Sequence, residues 1–94
     1  MSAKSLKKTS VNFAVIGCGG LARAQHLPNI ANSPRMVLHT CCDLSKEALA
    51  ICRDKFGARH VTSDYQAAIR DPEVQVVVVA TTEKMRLPII RVAA

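Results

Sequence analysis

Hydrophobic positions along the chain fall in two kinds of block, and the two kinds alternate. Val11 to Ile16 (VNFAVI), Met36 to Cys42 (MVLHTCC) and Glu73 to Ala80 (EVQVVVVA) are rich in β-branched residues with apolar positions on both faces. Strands buried on two sides in a parallel sheet have this composition. Arg59-His60-Val61-Thr62 is a shorter run of the same kind. Between these runs the pattern turns helical. One helix is predicted from about Gly20 to Asn32. A second has Ser45 as N-cap, carries Ala48, Leu49, Cys52 and Phe56 on one face and closes at Gly57. A third, Tyr65 to Arg70, is capped by Ser63-Asp64 and stopped by Asp71-Pro72. Pro28 lacks an N–H and its ring collides with the preceding turn, so a kink or break is expected near His26-Leu27-Pro28. Leu87 to Ala94 reads as the first turns of a fourth helix, with Pro88 tolerated near its start.

Alternating strands and helices joined by right-handed crossovers predict an α/β domain of Rossmann type. Its parallel sheet has strand order 3-2-1-4 inside a three-layer αβα arrangement. The chain has 94 residues, enough for one small domain. Met1 to Ser10, MSAKSLKKTS, has little to bury and reads as a disordered basic tail. Residues 11–94 then form a partial domain, because the valine run of strand four is that of a central strand and nothing after Ala94 supplies a fifth. An unpaired strand edge is a template for another chain, so self-association through strand four or the C-terminal segment is expected.

The first strand ends in glycines. Gly17, Gly19 and Ala22 fall on G-x-G-x-x-(G/A) between a strand and a helix. There Gly17 lets the strand turn sharply, Gly19 removes a side chain that would hold a pyrophosphate off the backbone, and Ala22 lets the helix approach the sheet. The free N–H groups of the helix start favour phosphate by about 1 kcal/mol beyond their hydrogen bonds. Strand two ends at Asp43, where an acid can bind an adenosine ribose. Ligands of such sheets lie outside the carboxyl ends of strands one and four. The candidate cofactor-binding residues are therefore Gly17, Cys18, Gly19, Gly20, Leu21, Ala22, Asp43, Leu44, Thr81 and Thr82. NAD is the expected cofactor with NADP possible, since Asp43 suits a ribose diol and repels a 2′-phosphate while Lys46 stands near enough to offset part of that repulsion.

Composition narrows the function classes. The formal charge is +6, but Lys4, Lys7 and Lys8 supply half of it from the tail, and the arginines are scattered. With three aromatic residues in the chain, no face combines clustered charge with stacking rings, and nucleic acid is not an expected partner. The longest apolar stretch, Val76 to Ala80, is far short of a membrane span, and no signal peptide is read, so a reducing cytoplasmic location is the default. Cys18, Cys41, Cys42 and Cys52 lack C-x-x-C spacing and read as small buried hydrophobes. Cys41 and Cys42, adjacent on a strand, point to opposite faces and cannot jointly hold a metal; no metal site is expected. His26 reads as a partly exposed helix residue.

Taken together, VIGCGGLARAQHLPNI, CCDLSKEALAICRDKFG and SDYQAAIRDPEVQVVVVATT resemble the N-terminal part of the Gfo/Idh/MocA oxidoreductases, over roughly Val11 to Thr82. The resemblance implies NAD or NADP binding in this domain and oxidation or reduction of sugars, polyols and related alcohols with the help of a second domain. Gly17, Gly19 and Ala22 then resemble the family's pyrophosphate loop, Asp43 its ribose acid, and Thr81-Thr82 the segment beside the nicotinamide ribose. Where the family has Pro, Asn and His after the strand-four threonine, this chain has Thr82-Glu83-Lys84-Met85-Arg86. Glu83-Lys84 directly follows strand four, whereas the family's catalytic Glu-Lys-Pro follows strand five. Lys84 therefore reads as a solvated loop lysine, and no residue matches the catalytic lysine. Two functions stay open: the cofactor-binding part of an enzyme of this family, or a dinucleotide-binding or interaction module that does no chemistry.

Overall fold

The structure, a computed structural model, describes residues 10–20 and 22–80. The expected tail (Ser10 apart), Leu21, Thr81, Thr82, Lys84 and the expected fourth helix lie outside the described residues. Four parallel strands, β1 (Val11–Ile16), β2 (Met36–Cys42), β3 (His60–Thr62) and β4 (Val76–Val79), form one sheet in the order β3-β2-β1-β4. The expected order is thus the observed one. Helices α1 (Leu27–Asn32) and α2 (Lys46–Phe56) supply Leu27, Ile30, Ala48 and Cys52 to a core cluster with Val15, Leu38 and Cys41. Helix α3 (Tyr65–Arg70) packs on the opposite face, where Ala68 meets Ile16 and Cys42 with Tyr65, Ile69, Val77 and Val79 around them. Val15 and Leu27 are fully buried, and each contributes about 1.5–3 kcal/mol of hydrophobic stabilisation.

Strand β2 departs from simple alternation. Phe13 pairs with Leu38 but Ala14 pairs with Thr40, so a bulge at His39 adds one residue to β2. An extra residue reverses the sense of alternation beyond it. Leu38 and Cys41, three apart, consequently share the α1–α2 face, and Cys42 faces α3. Cys41 and Cys42 point to opposite faces, as expected. His39 is buried, its Nδ1 2.8 Å from Thr40 Oγ1 and its Nε2 3.0 Å from Glu73 Oε2.

The break foreseen near Pro28 takes a defined form. Residues Ala22–His26 make a π-helical turn that passes directly into α1 at Leu27. Pro28 therefore falls just past the junction of the π-turn with α1, where the change of hydrogen-bond register accommodates a residue that has no N–H. Strand β4 is shorter than the predicted Glu73 to Ala80. Asp71 accepts the Glu73 amide at 2.9 Å through Oδ1, and its carbonyl accepts from Val74 at 3.1 Å. That turn consumes the first residues of the run before the ladder with β1 begins. β3 likewise starts one residue later than predicted. Among the described residues β4 pairs with β1 alone, and Val76 is 37% exposed. No helix among the described residues is long and apolar enough to cross a membrane.

The predicted caps form. Ser45 Oγ accepts the Ala48 amide at 3.2 Å, and Asp64 Oδ1 accepts those of Gln66 and Ala67 at 2.9 and 3.3 Å. Gly57 ends α2 with φ +73° and open space where a Cβ would stand. Gly57→Ala meets no steric obstacle, so its cost is the left-handed backbone alone, and a loss of about 1–2 kcal/mol in urea denaturation is expected.

Candidate functional site

At the carboxyl end of the sheet three strands finish level. The Gly17 amide donates to the Cys42 carbonyl at 2.8 Å and the Ala80 amide to the Ile16 carbonyl at 2.8 Å, extending the ladders one step past β1. Gly17 then turns with φ +92°, a conformation that strains any residue with a side chain. Cys18 follows, fully buried, while Gly19 and Gly20 are exposed. A Cβ built on either of those two glycines meets nothing within 4 Å. The Arg23 amide donates back to the Gly19 carbonyl at 3.0 Å, which starts the helical turn, and Ala22 packs into the core.

Asp43 ties this loop to its surroundings. Its Oδ2 accepts the Cys18 amide at 2.8 Å, its Oδ1 accepts the Ser45 amide at 2.8 Å, and its own amide donates to the Thr62 carbonyl at 3.2 Å. One residue thereby joins the glycine loop, the entry to α2 and the end of β3. An ionised carboxylate offers about four lone-pair sites; two are used, and two remain for hydroxyl donors. Leu44, beside it, is 83% exposed. Burial, with the carboxylates of Asp43 and then Asp64 nearby, pushes the Cys42 thiol up to about 11, so it stays protonated at neutral pH. His26 is half-buried at the end of the π-turn.

Of the residues expected at the site, Gly17, Cys18, Gly19, Gly20, Asp43 and Leu44 lie together at the carboxyl ends of β1 and β2. Ala22 lies just beneath, in the core. Sequence reasoning missed the Asp43 contact with the Cys18 amide, which joins residues 25 apart and has no local signal. It also missed Arg23, whose Nε is buried with no hydrogen-bond partner among the described residues.

A profile of the GFO_IDH_MocA family, described as an oxidoreductase family with an NAD-binding Rossmann fold, matches residues 11–92. The chain belongs to this family. Among curated proteins it is 24% identical over 80 residues to the uncharacterized oxidoreductase YrbE of Bacillus subtilis, covering 85% of this chain and 23% of YrbE. Scyllo-inositol dehydrogenase from Lactobacillus casei, solved with NAD(H) and scyllo-inositol, superposes with a TM-score of 0.82 at 19% identity, over 89% of this chain and 25% of that one. Biliverdin reductase from Synechocystis sp. PCC 6803, solved with biliverdin and NADP+, superposes with a TM-score of 0.79 at 28% identity, over 88% of this chain and 26% of that one. The chain thus spans about a quarter of the length of these relatives. The matched part is the family's NAD-binding Rossmann domain.

The Asp43 bonds make a stability prediction. Asp43→Ala removes the acceptor of two amides and is expected to cost about 2 kcal/mol, since hydrogen bonds to charged groups are the stronger kind. Asp43→Asn keeps one acceptor oxygen and is expected to lose roughly half as much. Urea denaturation of both variants measures the difference.

Proposed function

We propose that the crevice above β1 and β2 holds the pyrophosphate and adenosine ribose of NAD, and that the chain is the cofactor-binding part of an oxidoreductase acting on sugar, polyol or related alcohol and carbonyl substrates. The observation that carries this reading is the open, exposed backbone at Gly19 and Gly20 directly above the strand ends. A pyrophosphate needs close approach to amides, and there no side chain stands in the way. Gly17 supplies the turn that brings those amides over the sheet. Asp43 offers its remaining lone pairs to a ribose diol, Leu44 borders the adenosine half, and Thr81 and Thr82 stand beside the nicotinamide ribose. Ala22 lets the helix approach closely from beneath the loop. Bound NAD would supply the hydride acceptor; the residues named here bind and orient it. The same negative charge on Asp43 disfavours a 2′-phosphate, so NAD is the preferred cofactor and NADP the weaker one. Four free buried thiols, Cys18, Cys41, Cys42 and Cys52, support a reducing, cytoplasmic setting.

Gly19→Ala separates binding from folding. The new methyl group meets none of the described atoms, and replacing glycine where its carbonyl starts the helical turn should cost no more than about 1 kcal/mol, while NADH affinity by fluorescence titration falls at least tenfold. Unchanged affinity in a folded variant overturns the assignment of the loop.

The outer edge of β4 supports a second proposal, that two copies of this chain associate edge to edge. Among the described residues nothing pairs with that edge, and Val76 is exposed on it. Light scattering over a concentration series should show the apparent mass rising with concentration, and Val76→Lys or Val77→Pro, which act on the exposed side chain and on an outward-facing amide, should hold it at one copy. A wild-type monomer at every concentration refutes the edge pairing.

A further inference from the structure

Three cysteines distant in sequence meet beneath the glycine loop. Cys18 lies in the loop itself, Cys41 on β2 and Cys52 on α2; each has 0% of its surface exposed. Their three Sγ atoms lie within 4.8 Å of one another. The bulge at His39 is what turns Cys41 toward this face and leaves Cys42 on the other. All are free thiols. The Cys18 thiol reaches the carbonyls of Val15 and Cys42 at 3.7 and 3.6 Å, weak contacts that leave its lone pairs available.

Contact with Cys18, then with Cys41, pulls the Cys52 thiol well below the ordinary thiol range. Contact with Cys18, then with Cys52 and burial, pushes the Cys41 thiol strongly up. The Cys18 thiol is drawn down by Cys41, but Cys52 and burial outweigh that and carry it up to about 12. Arg23 stands within electrostatic range of Cys52 and lowers it further. Its Nε is buried without a hydrogen-bond partner among the described residues.

We propose that Cys18, Cys41 and Cys52 form a three-coordinate thiolate site for a soft cation, Cu(I). Thiolates select Cu(I) or Zn(II) among biological metals. Structural Zn(II) takes four ligands, and among the described residues no further histidine, cysteine or carboxylate joins this group. Three sulfurs each about 2.3 Å from a central ion stand about 4 Å apart, so only a small contraction is needed. Binding replaces thiol protons by S–Cu bonds and releases those protons to solvent. The oxidation states of sulfur and copper do not change, and the Arg23 guanidinium offsets part of the negative charge.

The test is an anaerobic titration of the reduced chain with Cu(I) buffered by a competing chromophoric chelator, followed by X-ray absorption at the copper edge. One Cu(I) per chain with three sulfur neighbours is expected. Cys52→Ser and Cys41→Ser should each weaken binding at least tenfold and lower the sulfur count to two. Cys42→Ser, equally buried on the other face, should change neither. In the wild-type chain, Cu(I) should also raise the midpoint of urea denaturation, because only the folded chain brings the three sulfurs together, a readout that does not depend on any variant folding. Failure of the folded chain to compete for Cu(I), equal affinity in Cys52→Ser, loss of binding in Cys42→Ser, or an unchanged urea midpoint with copper present overturns the proposal.

Discussion

The arrangement above the sheet depends on one carboxylate. Asp43 accepts amides from two segments that are otherwise independent, Cys18 in the first loop and Ser45 at the entry to α2, each at 2.8 Å. Its own amide is held by Thr62 on β3. An amide at the end of a strand that turns away from its ladder needs a new acceptor or must face water. By giving Cys18 that acceptor, Asp43 lets the loop turn immediately above β1 while the Cys18 side chain points down into the core. Ser45 in turn caps α2 through Ala48, so the loop and the helix entry are fixed by the same residue. Loss of that carboxylate would free both ends at once.

A second constraint lies within β2. Alternation alone would set Leu38, Thr40 and Cys42 on one face and His39 and Cys41 on the other. The bulge at His39 breaks that rule, so Leu38 and Cys41 join Val15 while Cys42 joins Ile16. The extra residue is a buried histidine whose two ring nitrogens are both within hydrogen-bond reach of partners, Thr40 and Glu73. Buried polar groups persist where they are satisfied, and these partners hold the irregularity in place. The composition of both cores follows from it.

Much of the fold could be read in the chain because its signals are local. The valine-rich runs, Ser45 and Asp64 as caps, and Gly57 as a helix end each depend on residues within one or two turns, and the strand order follows from the alternation they define. The strands' limits were less legible. Glu73 belongs to the valine run by composition, yet the Asp71 turn takes its amide, and β4 begins only at Val76. Pro28 signalled that the first helix could not run through unchanged, but not that the relief would be a π-turn ending at His26. The convergence of Cys18, Cys41 and Cys52 was not legible at all. It depends on the bulge in β2, the rotation of α2 and the turn at Gly17 acting together, and no spacing in the sequence encodes that meeting. For the same reason Arg23 looked like one of several scattered cations.

The glycines divide into two kinds, and the division bears on what the loop is for. Gly17 and Gly57 have positive φ, so the backbone alone accounts for them. Gly19 and Gly20 have ordinary backbone angles and open space around the missing Cβ. Among the described residues no packing contact asks for glycine at either position; Gly19, whose carbonyl accepts the Arg23 amide, starts the helical turn, where glycine is tolerated, but Gly20 lies inside that turn, where glycine is disfavoured relative to alanine by roughly 0.5–1 kcal/mol. A residue that stability does not favour and sterics do not require points to a contact outside the described chain. Gly19 and Gly20 thus leave two consecutive stretches of bare backbone exposed beyond the strand ends, anchored from below by the buried Cys18. In this loop the side chain of residue 18 serves the core, and the missing side chains of residues 19 and 20 leave the backbone above it bare.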